Sequence, residues 1–166
     1  MRSFLFFLLL LVSISSFGQR FAYIDTDFIL ENMEEYQEAQ KELDALSEQW
    51  QKTIEAKYTE LEELRKAFKA EQILLTPEMI KKKEDEIKQK EEEARAYQKE
   101  KFGLEGELFK KRKELVKPIQ DKIFNEIKEV ADRNNYAIIF DVAGQSNILF
   151  ADPKYDKSEE ILRKLK

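Results

Sequence analysis

The chain has no cysteine and no histidine, and its 166 residues include only four glycines and three prolines. Without cysteine there are no disulfides, no thiol chemistry and no lipid-modified N-terminal cysteine. Without histidine there are no imidazole bases, and the two absences together remove most zinc sites. Few helix breakers and a 38% share of charged residues favour long solvated helices over a compact globule. Phosphate-cradling loops of the GxxxxGK type, nucleophile elbows and dinucleotide fingerprints are missing too. The acidic run Glu91 to Glu93 reads as a solvated helix face. No catalytic residue, cofactor or metal site is expected, and the chain does not read as an enzyme.

The first residues, MRSFLFFLLLLVSISSFGQ, are the one long apolar run. Arg2 supplies a short positive region, and Phe4 to Ile14 is too short to span a bilayer. Ser16 and Gly18 are small residues before a cut ahead of Gln19. Residues 1–18 are therefore expected to be a signal peptide, and the rest an exported, soluble protein. Taking Arg2 from the 29 basic residues leaves 28 against 34 acidic ones, a net charge of −6, which argues against a general nucleic-acid binder.

Phe28 to Ile73 contains neither proline nor glycine. Its apolar residues Leu43, Leu46, Trp50, Ile54, Tyr58, Leu61, Leu64 and Phe68 recur in steps of three and four, the seam of a coiled coil. A second helix is expected from Pro77 to about Asn134. Its seam is thin at first (Ile80, Ile87, Ala94) and richer later (Leu108, Leu115, Ile119, Ile123, Ile127, Val130). Pro118 falls in the richer part, where a kink is expected rather than a stop. Gly103 and Gly106 read either as a hinge or as a packing notch for Trp50.

Between the two helices lies AEQILLTPEMIKKK, Ala70 to Lys83. Proline ends the first helix, and Thr76 caps the next with Pro77 in its first position. The stretch predicts the tip of an antiparallel helical hairpin carrying Ile73, Leu74, Leu75, Met79 and Ile80. Residues 64–83 hold six basic residues (Arg65, Lys66, Lys69, Lys81, Lys82, Lys83) against two acidic ones, whereas residues 31–63 hold three basic against eleven acidic. The tip is thus the part expected to carry a positive balance. It is a candidate contact for membrane surfaces or other anions.

The ends of the chain differ from the middle. Arg20 to Asp25 is rich in strand formers, and Thr26 or Asp27 is placed to cap the helix that follows. In RNNYAIIFDVAGQSNILFAD, Asn134 and Asn135 end a helix and Tyr136 to Val142 reads as a strand. Ala143 to Asn147 reads as a turn and Ile148 to Ala151 as a second strand. Asp156 with Glu159, or Ser158, caps a last short helix. Asp25 and Asp141 end strands that are expected to bond backbone groups there. The fold class is α+β, mostly α: a long antiparallel coiled-coil hairpin with a small β body that needs partners for its apolar faces.

FAYIDTDFILENM after a leader, then the helical arm, then NYAIIFDVAGQSNILFAD, then DKSEEILRKLK: in that order the mature chain resembles the Skp/OmpH family of periplasmic chaperones. The resemblance implies a jellyfish-like homotrimer, with residues 19–30 and 135–166 as the β-containing oligomerisation body and residues 31–134 as the arm, its tip near 73–80. Phe21, Tyr23, Ile24, Ile138, Ile139, Phe140, Ile148 and Phe150 look like the body positions. It also implies an ATP-independent holdase, in the periplasm, whose arms enclose unfolded outer-membrane proteins, with no catalytic residues. Tyr58, Phe68, Tyr97 and Phe102, with the five apolar tip residues, are the candidate client contacts. The alternative is an envelope coiled-coil scaffold docking one folded partner through the tip. The best-known members are basic, whereas this chain is acidic.

Overall fold

The computed structural model describes residues 19–144 and 148–166; the expected leader, and most of the turn before Ile148, lie outside them. The chain separates into two compact units. One holds residues 34–121, the other the described residues before 34 and after 121.

In the first unit, α2 (Glu34–Glu71) runs without interruption into a 3-10 turn at Gln72–Leu74. The chain returns as α3 (Pro77–Phe102) and the first part of α4 (Glu107–Asn134). The 3.6-residue period places Ala39, Leu43, Trp50, Ile54 and Leu61 on the buried stripe of α2. Across it α3 buries only Ala94, the thin seam expected. Cross-links between the two helices fill the gap. Trp50 meets Phe102, Tyr58 meets Gln98, Glu60 meets Lys90, and Arg65 meets Glu91. Partner numbers fall from Phe102 and Gln98, opposite Trp50 and Tyr58, to Lys90 and Glu91, opposite Glu60 and Arg65, so the pair is antiparallel.

The helices are shorter than the composition predicts. The first is broken at Asn32–Met33, separating α1 (Thr26–Glu31) from α2. The Asn32 side chain donates to the Phe28 carbonyl at 2.8 Å, offering that carbonyl a partner outside the helical ladder. Met33 turns inward and is buried. The second is broken at Gly103–Gly106, between α3 and α4. A Cβ on Gly103 would lie 2.4 Å from the Lys99 carbonyl oxygen, and one on Gly106 would lie 2.8 Å from that of Glu100. The glycines thus allow close approach of backbone to backbone. The three atoms nearest such a Cβ on Gly103 all belong to Lys99. Pro118 sits inside α4, which continues through it.

In the second unit, β1 (Arg20–Ile24) and β2 (Tyr136–Asp141) pair in parallel, Phe21 opposite Ile138 and Ile24 opposite Asp141. Tyr23 also forms a bridge with Asp156, and Lys157 donates its amide to the Tyr23 carbonyl at 2.9 Å. Successive side chains alternate between faces. Ala22 and Ile24 lie on the buried side, in a core with Ile29 of α1, Val130 of α4, and Ile161 and Leu162 of α5 (Ser158–Leu165). Asn135, at φ 53°, takes the left-handed conformation that ends α4, as an asparagine at that position does readily.

Three local expectations shift. Asp25, not Thr26 or Asp27, caps α1, its carboxylate accepting from the Phe28 amide at 3.0 Å. Asp156 accepts from the Ser158 amide at 2.8 Å, while Lys157 occupies the cap position of α5. The strand expected at Ile148–Ala151 is not formed: the described residues there are irregular. β2 pairs with β1 alone among the described residues, and an extended segment without a ladder partner is not stable as a strand.

Candidate functional site

At the hairpin turn, the Thr76 hydroxyl accepts from the Met79 amide at 3.3 Å and Pro77 takes the first helical position. The turn chemistry is therefore local and does not depend on the apolar residues around it. Those residues stand mostly in water: Ile73 is 93% exposed, Leu74 86% and Met79 51%. Leu75 and Ile80 are half-buried. A clasp that closed the hairpin by apolar packing would bury all five; here three are left out.

The six cations of this region separate into two groups. Arg65 is drawn across the hairpin, its guanidinium 2.6 Å from Glu91 and 3.3 Å from Glu62, and Lys83 pairs with Glu86 at 3.4 Å. Lys66, Lys69, Lys81 and Lys82 are exposed, with no ion pair among the described residues.

The four aromatics proposed for the inner faces sit differently. Tyr58 donates to Gln98 at 3.3 Å. Phe102 presents an edge to Trp50 at 6.1 Å between centroids. Tyr97 lies between Lys57 and Lys101, each ammonium within 5.6 Å of its ring. Lys101 reaches the Trp50 ring as well. Hydrogen bonds from its ammonium to Glu100 and then Glu107 hold its pKa above the ordinary lysine value. Phe68 is half-buried. Tyr58, Tyr97 and Phe102 are thus engaged between α2 and α3, while Ile73, Leu74 and Met79 at the turn stand exposed.

In the sheet unit, the face opposite the core is uncovered. Phe21, Ile138 and Phe140 are each about half exposed, with Tyr155 tilted against Phe21 at 5.0 Å. Tyr23 and Ile139 are half-buried and Ile24 buried. Ile148 and Phe150 are exposed on the irregular segment. At the strand ends Asp141 accepts from the Thr26 hydroxyl at 2.7 Å and its amide at 3.2 Å. The Asp25 amide donates to the Ser158 hydroxyl at 2.9 Å. Both aspartates close strand ends, as expected.

One cationic stretch was passed over by the sequence reading, which gave positive balance to the tip alone. Residues 104–117 hold Lys110, Lys111, Arg112, Lys113 and Lys117 against Glu105, Glu107 and Glu114. The signal was the run KKRK, hidden by the apolar period on which it is superposed.

Among the described residues, the turn of a long hairpin presents apolar side chains and lysines to water, and a small parallel sheet is bare on one face. The family model for OmpH-like outer membrane proteins matches residues 20–165, and the chain belongs to that family. No curated protein matches it in sequence. Among solved structures it is similar to one from Caulobacter crescentus CB15, described as a candidate outer membrane chaperone (OmpH-like). The TM-score is 0.72 at 11% identity, over 89% of this chain and 84% of that one. At that identity the likeness is one of fold.

Proposed function

We propose that this protein is an ATP-independent holdase of the periplasm, which keeps unfolded outer-membrane proteins from aggregating. The observation that carries the reading is the exposure of Ile73, Leu74 and Met79 at a turn already closed by Thr76 and Pro77. Large apolar side chains that neither close the turn nor enter a core are available to another chain. Scattered weak contacts of this kind suit many clients. Lys66, Lys69, Lys81 and Lys82 add attraction to negative charge, at a membrane surface included, over about 8 Å at physiological salt.

The protein acts as a homotrimer. The uncovered face of Phe21, Ile138 and Phe140 is buried against other copies, and Ile148–Ala151 becomes a strand when a neighbour supplies its ladder partner. Arms from three copies then enclose the client. The leader is removed before Gln19 on export, and neither cofactor, metal nor catalysis takes part.

Aggregation of several unrelated unfolded outer-membrane barrels, followed by light scattering with and without the protein, tests the reading. Protection of all of them is expected. Protection of none, with capture of one folded partner, would replace it by an envelope scaffold. Leu75→Ser with Met79→Ser should keep helicity and trimer mass and weaken protection.

A further inference from the structure

The run KKRK and its surroundings belong neither to the tip nor to the contacts that close the hairpin. On α4, Phe109, Arg112, Lys113 and Val116 follow the spacing i, i+3, i+4, i+7 and so share one stripe of the helix. Phe109 is 54% exposed, and just before it, in the break between α3 and α4, Leu104 is 97% exposed. Arg112 and Lys113 are exposed and Val116 half-buried. Beside the stripe an open groove of about 710 Å³ is lined by Lys99, Gly103, Leu104, Gly106 and Lys110.

Carboxylates also reach this region, and their pairing decides its charge. Glu100 and Glu107 line the groove, but both bind Lys101, at 2.8 Å and 3.0 Å. Glu114 is taken by Lys111 at 3.1 Å, and Lys117 by Asp121 at 2.7 Å. Lys99, Lys110, Arg112 and Lys113 have no ion pair among the described residues, and Glu105 is the one lining carboxylate that Lys101 does not engage. Lys99 and Lys110 thus line one groove with the exposed Leu104, and Arg112 and Lys113 share a helix stripe with the exposed Phe109, within a chain whose total charge is negative.

From this juxtaposition we propose that Leu104, Phe109, Lys110, Arg112 and Lys113 form a second client-contact surface, one that takes extended acidic segments in which Asp or Glu neighbours an aromatic or aliphatic residue. The proposal rests on the holdase reading and names the class of segment the protein prefers. Charge complementarity selects acid, and Phe109 and Leu104 supply the apolar half of the contact. A flat lipid surface fits less well. A helix lying in a membrane interface needs a continuous apolar face, and this stripe offers one exposed ring and one half-buried valine.

The test uses the full mature protein and two labelled synthetic peptides, one alternating Glu with Phe and Leu, the other its twin with Lys for Glu. Vesicles of anionic phospholipid are the third probe. Wild type should bind the Glu peptide more tightly than the Lys peptide, and less tightly as salt is raised. Lys110→Gln, Arg112→Gln and Lys113→Gln together should weaken the Glu peptide about tenfold, with circular dichroism unchanged. Phe109→Ser should weaken it at every salt concentration, and Lys113→Arg should retain binding. Unchanged affinity in the triple variant, equal loss for both peptides, or loss confined to the vesicles would overturn the proposal. Unfolded barrels separate the two ideas. If wild type protects them while the stripe variants bind the Glu peptide normally, this inference alone fails. If wild type protects none, the holdase reading fails and takes this inference with it.

Discussion

Trp50 and Phe102 meet edge to face, ring centroids 6.1 Å apart with planes at 87°, on opposite helices of the hairpin. Phe102 is the last residue of α3, directly before the Gly103 break. The contact therefore fixes the end of the returning helix against α2. Trp50→Ala should destabilise the protein by about 3–5 kcal/mol, read from the midpoint of chemical denaturation. With Phe102→Ala, a double-mutant cycle should return a coupling of about 0.5–1.5 kcal/mol.

Arg65 and Glu91 form a charged counterpart nearer the turn, partly open to solvent. Their coupling should be about 0.5–1 kcal/mol and shrink as salt is added. Since Arg65 is occupied by Glu91 and Glu62, Arg65→Gln should leave binding to anionic vesicles unchanged. Lys81→Gln with Lys82→Gln should reduce it. Sedimentation with vesicles at two salt concentrations separates these outcomes.

The Glu60–Lys90 bridge gives the hairpin a pH dependence of defined sign. The hydrogen bond and charge of Lys90 lower the pKa of Glu60, and Glu60 raises that of Lys90 in the same two ways. A carboxylate with a lowered folded pKa contributes stability above its unfolded value, lost as pH falls through the folded one. A lysine with a raised folded pKa contributes below its unfolded value, lost as pH rises through the folded one. The bridge therefore acts between the ordinary values, 4.5 for the glutamate and 10.5 for the lysine. Glu60→Gln should flatten the acid limb of a stability–pH profile measured by denaturation.

Two neighbouring residues of β2 should respond differently to charge. Ile138 lies on the uncovered face and Ile139 is half-buried, opposite the fully buried Ala22. Ile139→Asp places a charge against the core and should unfold the sheet unit, a cost of several kcal/mol. Ile138→Asp should leave the chain folded but prevent self-association. Circular dichroism and light scattering on both variants decide it.

Gly103→Ala would place a methyl group 2.4 Å from a backbone carbonyl oxygen, which no rotamer change relieves. A loss of about 1–3 kcal/mol is expected, against a gain of about 1 kcal/mol if the position were an ordinary helix interior. Thermal unfolding of the variant separates the two signs.

By itself the sequence determined the turn, the two helical directions and the strand positions of β1 and β2. Thr76–Pro77, the three-and-four spacing from Leu43 to Phe68, and Asn135 after α4 all act through bonds within a few residues. It did not determine the breaks at Asn32 and Gly103, because an apolar period can continue across an interruption that is made by one side chain or one close backbone approach. Nor did it show which charges are spent. Arg65 and Arg112 look alike in the sequence, yet Arg65 is held by a glutamate 26 residues away on the facing helix, while Arg112 has no ion pair among the described residues. The tertiary structure alone decided that, since an ion pair between helices depends on their register. The same holds for Ile148–Ala151: strand propensity is local, but a strand exists only where another chain segment supplies its hydrogen bonds, and among the described residues none does.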